Sequence, residues 1–281
     1  MEIVTLDKVA FSSLTSCFNL AFSDYFVKFN ATEEYLQSRW NAAEVDYSLS
    51  AGVIDGDEIV GFIVNAVRKW NGLKTAFNCG TGVVPNFRGR GLTGKMYDFL
   101  SPKLERAQVK CLALEVIQQN LNAIHVYEKV GLKIRRKLNC FSGEIKVRSS
   151  FSELQELDFK KLEKPHWSLF ESFYEYQPAW ENNNLTLKRL LDTYQFYGVF
   201  TKNKMIAFVV VNPGNGYVPQ FGIHPDFRNQ SIGEFLFFQL SKLHPTIKIN
   251  NVDAVATRVL KLLFEIGLRN SINQYEMVSY L

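Results

Sequence analysis

The chain has 281 residues, of which 47% are hydrophobic and 21% charged, with a net charge of +4. Domains usually run about 100 to 150 residues, so this length suits two, and the composition excludes a disordered chain. The mild positive charge comes without a dense Lys/Arg stripe, which argues against a nucleic-acid partner while suiting a small anionic ligand. Cys17, Cys79, Cys111 and Cys140 show neither metal-ligand spacing nor a disulfide framework, so reduced thiols and no metal are expected. Met1 to Ala10 carry Glu2, Asp7 and Lys8 and lack the apolar core of a signal peptide, and no later run approaches a membrane-spanning length. The expectation is a soluble cytoplasmic protein with no membrane partner; its oligomeric state is not legible.

In chain order, helical patterns over Phe11 to Phe22 and Thr32 to Asn41 precede a strand near Leu49 to Ile54, and Asp55-Gly56-Asp57 signals a hairpin. Strands follow from Glu58 to Val67 and from Thr75 to Val84. Leu92, Met96, Phe99, Leu100 and Leu104 then fall at helical spacing, with Pro102 expected to kink or shorten that helix. Cys111 to Val116 reads as a strand, and Ala123, Val126, Tyr127 and Val130 mark one face of a helix stopped by Gly131. In the second half, Lys202-Asn203-Lys204 reads as a hairpin turn, Met205 to Val211 as an apolar strand, and Leu236, Leu240 and Leu243 as one face of a helix.

The two halves echo each other. Gly82-Val83-Val84-Pro85-Asn86-Phe87-Arg88 recurs as Gly222-Ile223-His224-Pro225-Asp226-Phe227-Arg228, displaced by 140 residues. Tyr127-Glu128-Lys129-Val130-Gly131-Leu132 is echoed, displaced by 136, in Leu263-Phe264-Glu265-Ile266-Gly267-Leu268. Two copies of one domain are expected, residues 1–145 and 155–281, with the boundary between Ser142 and Leu162.

Between a predicted strand and a predicted helix lies Arg88-Gly89-Arg90-Gly91-Leu92-Thr93. Glycines there let the backbone approach a ligand closely, and a helix N-terminus offers unpaired N–H groups to phosphate. It is neither a Walker loop nor a dinucleotide-binding fingerprint. Taken alone, it reads equally as a basic, glycine-containing turn.

With its surroundings the segment resembles the GNAT superfamily of N-acetyltransferases, whose Arg/Gln-x-x-Gly-x-Gly/Ala signature follows a strand ending in Val-x-Pro. Val83, Val84, Pro85, Arg88 and Gly91 match, and Asn120, Ala123, Tyr127, Gly131 and Leu132 resemble the family's second pattern. Thr93 departs from it, standing where Gly or Ala is usual. The resemblance implies an α/β fold of two tandem domains, each a mixed, mostly antiparallel sheet flanked by helices. It implies acetyl-CoA as co-substrate, entering a gap between the strand ending near Val84 and the one starting at Cys111. Val83 and Val84 would act as a strand substitute for pantetheine, with Arg88, Gly89, Arg90, Gly91, Leu92 and Thr93 on the pyrophosphate and Asn120 beside pantetheine. A Val83 or Val84 N–H would hold the oxyanion, Tyr127 would protonate the leaving thiolate, and Asp24 and Tyr25 would flank the acceptor, a primary amine of a small molecule or peptide.

Plainer readings stand beside these. By spacing alone Tyr127 is a core tyrosine, Asn120 a helix cap, Glu115 either a base for the amine or a structural carboxylate, and Cys79 a thiol without a base. In the second half Ser231 replaces Gly91, Leu263 replaces Tyr127 and Ala256 replaces Asn120, so that copy is expected to keep the fold and lack the chemistry. A non-catalytic acyl-CoA-binding or sensing module is the alternative.

Overall fold

The computed structural model describes residues 1–26, 30–147 and 156–281. The chain divides into two compact units, one of Met1–Arg135 with Tyr275–Leu281 and one of Arg136–Gln274. The sequence placed the boundary between Ser142 and Leu162 and assigned the chain's end to the second copy; part of that range, 148–155, lies outside the described residues. The final strand instead groups with the first unit, because its partner strand is there.

The first unit begins with β1 (Glu2–Thr5), α1 (Phe11–Ala21) and α2 (Glu33–Ala43). Leu14, Cys17, Phe18 and Ala21 bury one face of α1, and the Thr32 hydroxyl caps α2 by accepting from the Tyr35 N–H at 3.2 Å. Strands β2 (Ala51–Asp55), β3 (Glu58–Trp70) and β4 (Leu73–Val83) follow as an antiparallel meander. β3 and β4 both extend beyond the predicted strands to meet at Asn71-Gly72, a two-residue turn with φ of 49° and 85°. Asn-Gly is the preferred pair for such a turn, because both positions need the left-handed region. Next come α3 (Leu92–Arg106), β5 (Cys111–Ile117) and α4 (Leu121–Lys129). Pro102 does not shorten α3. It sits on the exposed face, as does Asp98, whose carbonyl loses its helical donor on the solvent side, while Leu100 and Leu104 bury the opposite face.

Strand β6 (Lys133–Glu144) leaves the first unit and continues in the second. There β7 (Leu157–Leu162) precedes two short helices, α5 (Trp167–Ser172) and α6 (Asn184–Leu187). β8 (Gln195–Thr201), β9 (Lys204–Val211) and β10 (Gln220–Ile223) give a four-stranded antiparallel sheet in the order β10-β9-β8-β7. α7 (Ile232–Ser241), β11 (Thr246–Asp253), α8 (Thr257–Glu265) and β12 (Arg269–Asn270) complete the unit, with β11 and β12 both antiparallel to β6. Leu243 does not share the buried face of α7: it lies past the helix end and is exposed, because Pro245 prevents continuation. The last strand, β13 (Gln274–Tyr280), lies beside β5, with the Leu281 N–H donating to the Lys110 carbonyl at 3.1 Å.

Each unit has its own core. Phe62, Ile63, Met96, Leu100 and Met277 are wholly buried in the first, Val209, Leu236, Phe237 and Leu263 in the second. Corresponding glycines show that the halves share backbone geometry. A Cβ on Gly82 would press on Phe62 and Ala21, and one on Gly222 on Phe208 and Phe173. This is the close helix-to-strand approach that only glycine permits.

Candidate active site

Strand β4 sets the geometry. It pairs in parallel with β5 from Thr75/Cys111 to Asn78/Leu114, and its described pairing with β5 ends there. At that point Asn78 is opposite Asn65 and Gly80 opposite Val64, which leaves Cys79 bulged out of register. A bulge bends a strand and increases its twist. The Asn78 side chain braces this one by accepting from the Gly80 N–H at 2.9 Å. The outer halves of β4 and β5 thus flank a gap. The Val84 N–H donates to the Val60 carbonyl at 3.0 Å, so it is spent on β3. Successive N–H groups of a strand point to opposite sides, which aims that of Val83 at the β5 side.

Beyond β4, a turn at Pro85–Phe87 leads into α3. Gly89 and Gly91 have φ of 74° and 70°, and Gly91 occupies the N-cap position without a side-chain cap. The first N–H groups of α3, from Leu92 onward, therefore have no local acceptor. A Cβ placed on Gly89, Gly91 or Gly94 would meet nothing within 4 Å, so this loop faces open space. These features fit a pyrophosphate: left-handed residues and a bare helix start aim backbone N–H groups at one point. Arg90 donates to the Asn86 carbonyl at 3.0 Å and stacks on Phe87 at 4.7 Å. Thr93 lies in the first turn of α3 and is half-buried.

Arg88 has a different occupation. Its guanidinium donates to both carboxylate oxygens of Asp24 at 2.6 and 2.8 Å, to the Ala21 carbonyl at 3.0 Å and to the Val83 carbonyl at 3.0 Å. Asp24 and Arg88, expected on the acceptor and cofactor sides, are joined in one ion pair that straps the end of α1 to the β4–α3 loop. The Arg88 hydrogen bonds hold the Asp24 carboxyl below the usual range.

Of the remaining predicted residues, Tyr25 lies near Tyr127 and Asn120 near Tyr25. Tyr127, on α4, is buried, and burial pushes its pKa up to about 12, partly offset by the neighbouring Thr81 side chain. Burial likewise raises Tyr25, against a hydrogen bond from Asn120. Asn120 is also the N-cap of α4, accepting from the Ala123 N–H at 3.2 Å. Glu115 is half-buried on β5 at the first position past the paired stretch, and Cys79 is half-buried at the bulge. Among the described residues no group of three or more His, Cys, Asp or Glu could hold a metal ion.

Three residues that sequence reasoning missed complete the cluster. The Asn78 amide donates to the Thr81 hydroxyl at 2.6 Å and to the Tyr97 hydroxyl at 2.9 Å. Their signal lay in the repeat, since the positions 140 residues on are Val218, Phe221 and Phe237.

The second unit repeats the scaffold. Arg228 donates to the Ile223 carbonyl at 3.2 Å and the Phe173 carbonyl at 3.2 Å, as Arg88 does to Val83 and Ala21. Asn229 and Ser231 take φ of 59° and 55°, so the loop keeps its left-handed shape without glycine. A cleft of about 300 Å³ lies beside it, lined by Glu175, Arg228, Ser231, Gly233, Arg258 and Leu262 among others. Glu175 pairs with Arg228 at 3.5 Å, as Asp24 does with Arg88, but the second unit differs in two ways: Glu175 has a second partner in Arg258 at 3.2 Å, and the space in front of Gly233 is filled by Leu262, 2.6 Å from where a Cβ would lie.

Among known proteins, the acetyltransferase (GNAT) family model matches residues 14–132. No curated protein sequence matches. A tandem GNAT protein from the clavulanic acid biosynthesis pathway, without AcCoA, is similar over 99% of this chain and 98% of its own, at 12% identity and a TM-score of 0.73. A GCN5-related N-acetyltransferase from Sphaerobacter thermophilus aligns over 95% of this chain and 91% of its own, at 12% identity and a TM-score of 0.70. One from Kribbella flavida covers 100% of this chain and 71% of its own, at 15% identity and a TM-score of 0.62. Residues 14–132 thus match the acetyltransferase (GNAT) family model, and the chain as a whole shares its fold with a tandem GNAT protein.

Proposed function

We propose that the first unit transfers an acetyl group from acetyl-CoA to a primary amine of a small molecule or peptide. One observation supports this reading: the β4–β5 pairing stops at Asn78/Leu114, and beyond the end of β4 the glycines at the start of α3 face open space. Pantetheine would run along the unpaired edge of β4, with the pyrophosphate on the N–H groups from Gly89 to Thr93. The unprotonated amine attacks the thioester carbon. The C–N bond forms, the Val83 N–H stabilises the oxyanion, and collapse breaks the C–S bond, sulfur leaving with the bond's electron pair. Tyr127 then hydrogen-bonds that sulfur, and the proton released by the attacking ammonium completes the balance.

In this reading the second unit is a non-catalytic copy. In support, the positions of Tyr127 and Asn120 hold Leu263 and Ala256, and Leu262 fills the approach to Gly233. The experiment is thiol release from acetyl-CoA by the purified chain with a panel of primary amines. Turnover with at least one amine supports the proposal. Acetyl-CoA binding with no release across the panel points instead to a sensing module.

A further inference from the structure

The cleft of about 300 Å³ in the second unit holds hydrogen-bonding groups of both signs that the protein leaves free. A guanidinium carries five N–H donors. Arg258, exposed on α8, uses only its Nε–H, which donates to both carboxylate oxygens of Glu175 at 3.2 Å. Arg228 donates from Nε to the Ile223 carbonyl and from Nη2 to the carbonyls of Phe173 and Tyr174. Nη1 of Arg228 and both Nη groups of Arg258 make no hydrogen bond to a described residue. Glu234, half-buried in the first turn of α7, lines the same cleft, and its carboxylate has no partner among the described residues. Lys261 and Glu265 pair with each other at 3.7 Å. The charged lining is therefore three cations and three carboxylates, with no net charge, and its free groups are guanidinium donors on one side and a carboxylate on the other.

The repeat supplies an internal control. Counted back by its displacements of 140 and 136, Glu234 falls on Gly94 and Arg258 on Asn122. A Cβ on Gly94 would meet nothing within 4 Å, so the first unit leaves the start of its helix bare. The second unit places a carboxylate there, which repels a pyrophosphate, and Leu262 closes the approach to Gly233. Arg258 precedes Leu262 by four residues and so shares its face of α8, about one helical turn from the point where α7 and α8 touch; Glu234 follows Gly233 at that point. The rest of the wall is largely apolar, with Phe221, Phe227, Val259 and Leu262. Small-molecule sites span about 300–1,000 Å³, so this volume suits a compact ligand.

We propose that the second unit's cleft binds a compact zwitterion, an α-amino acid with an apolar side chain. Its carboxylate takes the free Nη donors of Arg258 and Arg228, its ammonium takes Glu234, and its side chain packs on Phe221, Phe227 and Val259. Glu175 holds both guanidiniums by their Nε atoms, at 3.2 and 3.5 Å, which leaves the Nη groups to the ligand. A lining without net charge but with free groups of both signs favours a ligand that carries both charges over a simple anion or a simple amine. The proposal stands apart from acetyl transfer in the first unit.

The test is isothermal titration of the full chain with L-leucine, isocaproate and isoamylamine, which share one apolar body and carry both charges, the carboxylate alone and the ammonium alone. L-leucine should bind once per chain with a Kd of about 1 mM or tighter, and the other two at least about tenfold more weakly. Arg258→Gln and Glu234→Gln, at an exposed and a half-buried side chain, should each weaken L-leucine at least about tenfold, while Gly91→Phe in the first unit leaves it unchanged. A thermal melt of each variant confirms that it is folded, and either variant alone decides the point if the other does not fold. Absence of L-leucine binding overturns the proposal. Equal affinity for isocaproate does so too, since it marks a simple anion site, as does equal affinity for isoamylamine. Full affinity in a folded Arg258→Gln or Glu234→Gln, or a loss in Gly91→Phe, places the ligand outside this cleft and overturns it as well.

Discussion

In the proposed reaction Tyr127 has to remain protonated at neutral pH beside a sulfur that becomes an anion. Its enclosure beside Ile124 and Leu132 removes the water that would stabilise a phenolate, which is why its pKa stands at about 12. A free thiol has a pKa of about 8.5, so complete transfer to the thiolate is uphill and hydrogen-bond donation is the contribution the phenol can make. Tyr127→Phe should lower kcat at least about tenfold and leave acetyl-CoA affinity within a few-fold, since only the hydroxyl is lost. A purely structural tyrosine would lower the melting temperature and keep kcat. The pH dependence has a definite sign. The folded pKa lies above the unfolded value of about 10, so the stability due to the neutral phenol is intact below that pH and is lost as pH rises toward 12. Denaturant melts of wild type and Tyr127→Phe should keep a constant gap from pH 7 to about 9.5, with wild type losing ground above it; parallel curves up to pH 11 would contradict the burial.

Helices α4 and α8 form a matched pair that differs at the cap. Asn120 has φ −82° and ψ 66°, Ala256 has φ −78° and ψ 63°, and only Asn120 accepts a hydrogen from its helix. Asn120→Ala should cost about 0.5–2 kcal/mol, and Ala256→Asn should add stability to α8 up to the same size, both measured by denaturant unfolding. A loss on adding asparagine at 256 would mean that the cap geometry is not shared. Helices with a buried stripe, such as α1 and α3, were legible because their burial follows the 3.6-residue period. So were the loop from Arg88 to Thr93 and its duplicate, being contiguous in sequence. β1, β6, β11 and β13 were not legible. β6 carries Lys133, Arg135, Arg136 and Lys137 at largely exposed positions, and β13 buries Glu276, which is balanced by Arg135 at 3.3 Å. A carboxylate reads as surface until its partner, over a hundred residues away in sequence, is known. Asn78, Thr81 and Tyr97 escaped for a related reason: they meet only because β4 bulges at Cys79 and α3 crosses it. The Arg88–Asp24 strap likewise depends on α1 and the β4–α3 loop coming together.

At the scale of the molecule, the chain's last strand belongs to its first unit, where Met277 is wholly buried in the core. Met277→Ala should cost about 2–5 kcal/mol and lower amide protection in β5 while leaving β9 near its wild-type protection. Loss confined to β9 would contradict the grouping. The central claim is that one unit of the two carries acetyl-CoA. Isothermal titration of acetyl-CoA into wild type, Gly91→Phe and Ser231→Phe tests it most directly. Gly91 is left-handed and faces open space, so a side chain there costs the fold only about 1–2 kcal/mol while occupying the phosphate's place. The account predicts one site per chain, weakened at least about tenfold, or 1.4 kcal/mol, by Gly91→Phe and unchanged by Ser231→Phe. Two sites per chain, or a loss seen only with Ser231→Phe, would contradict it.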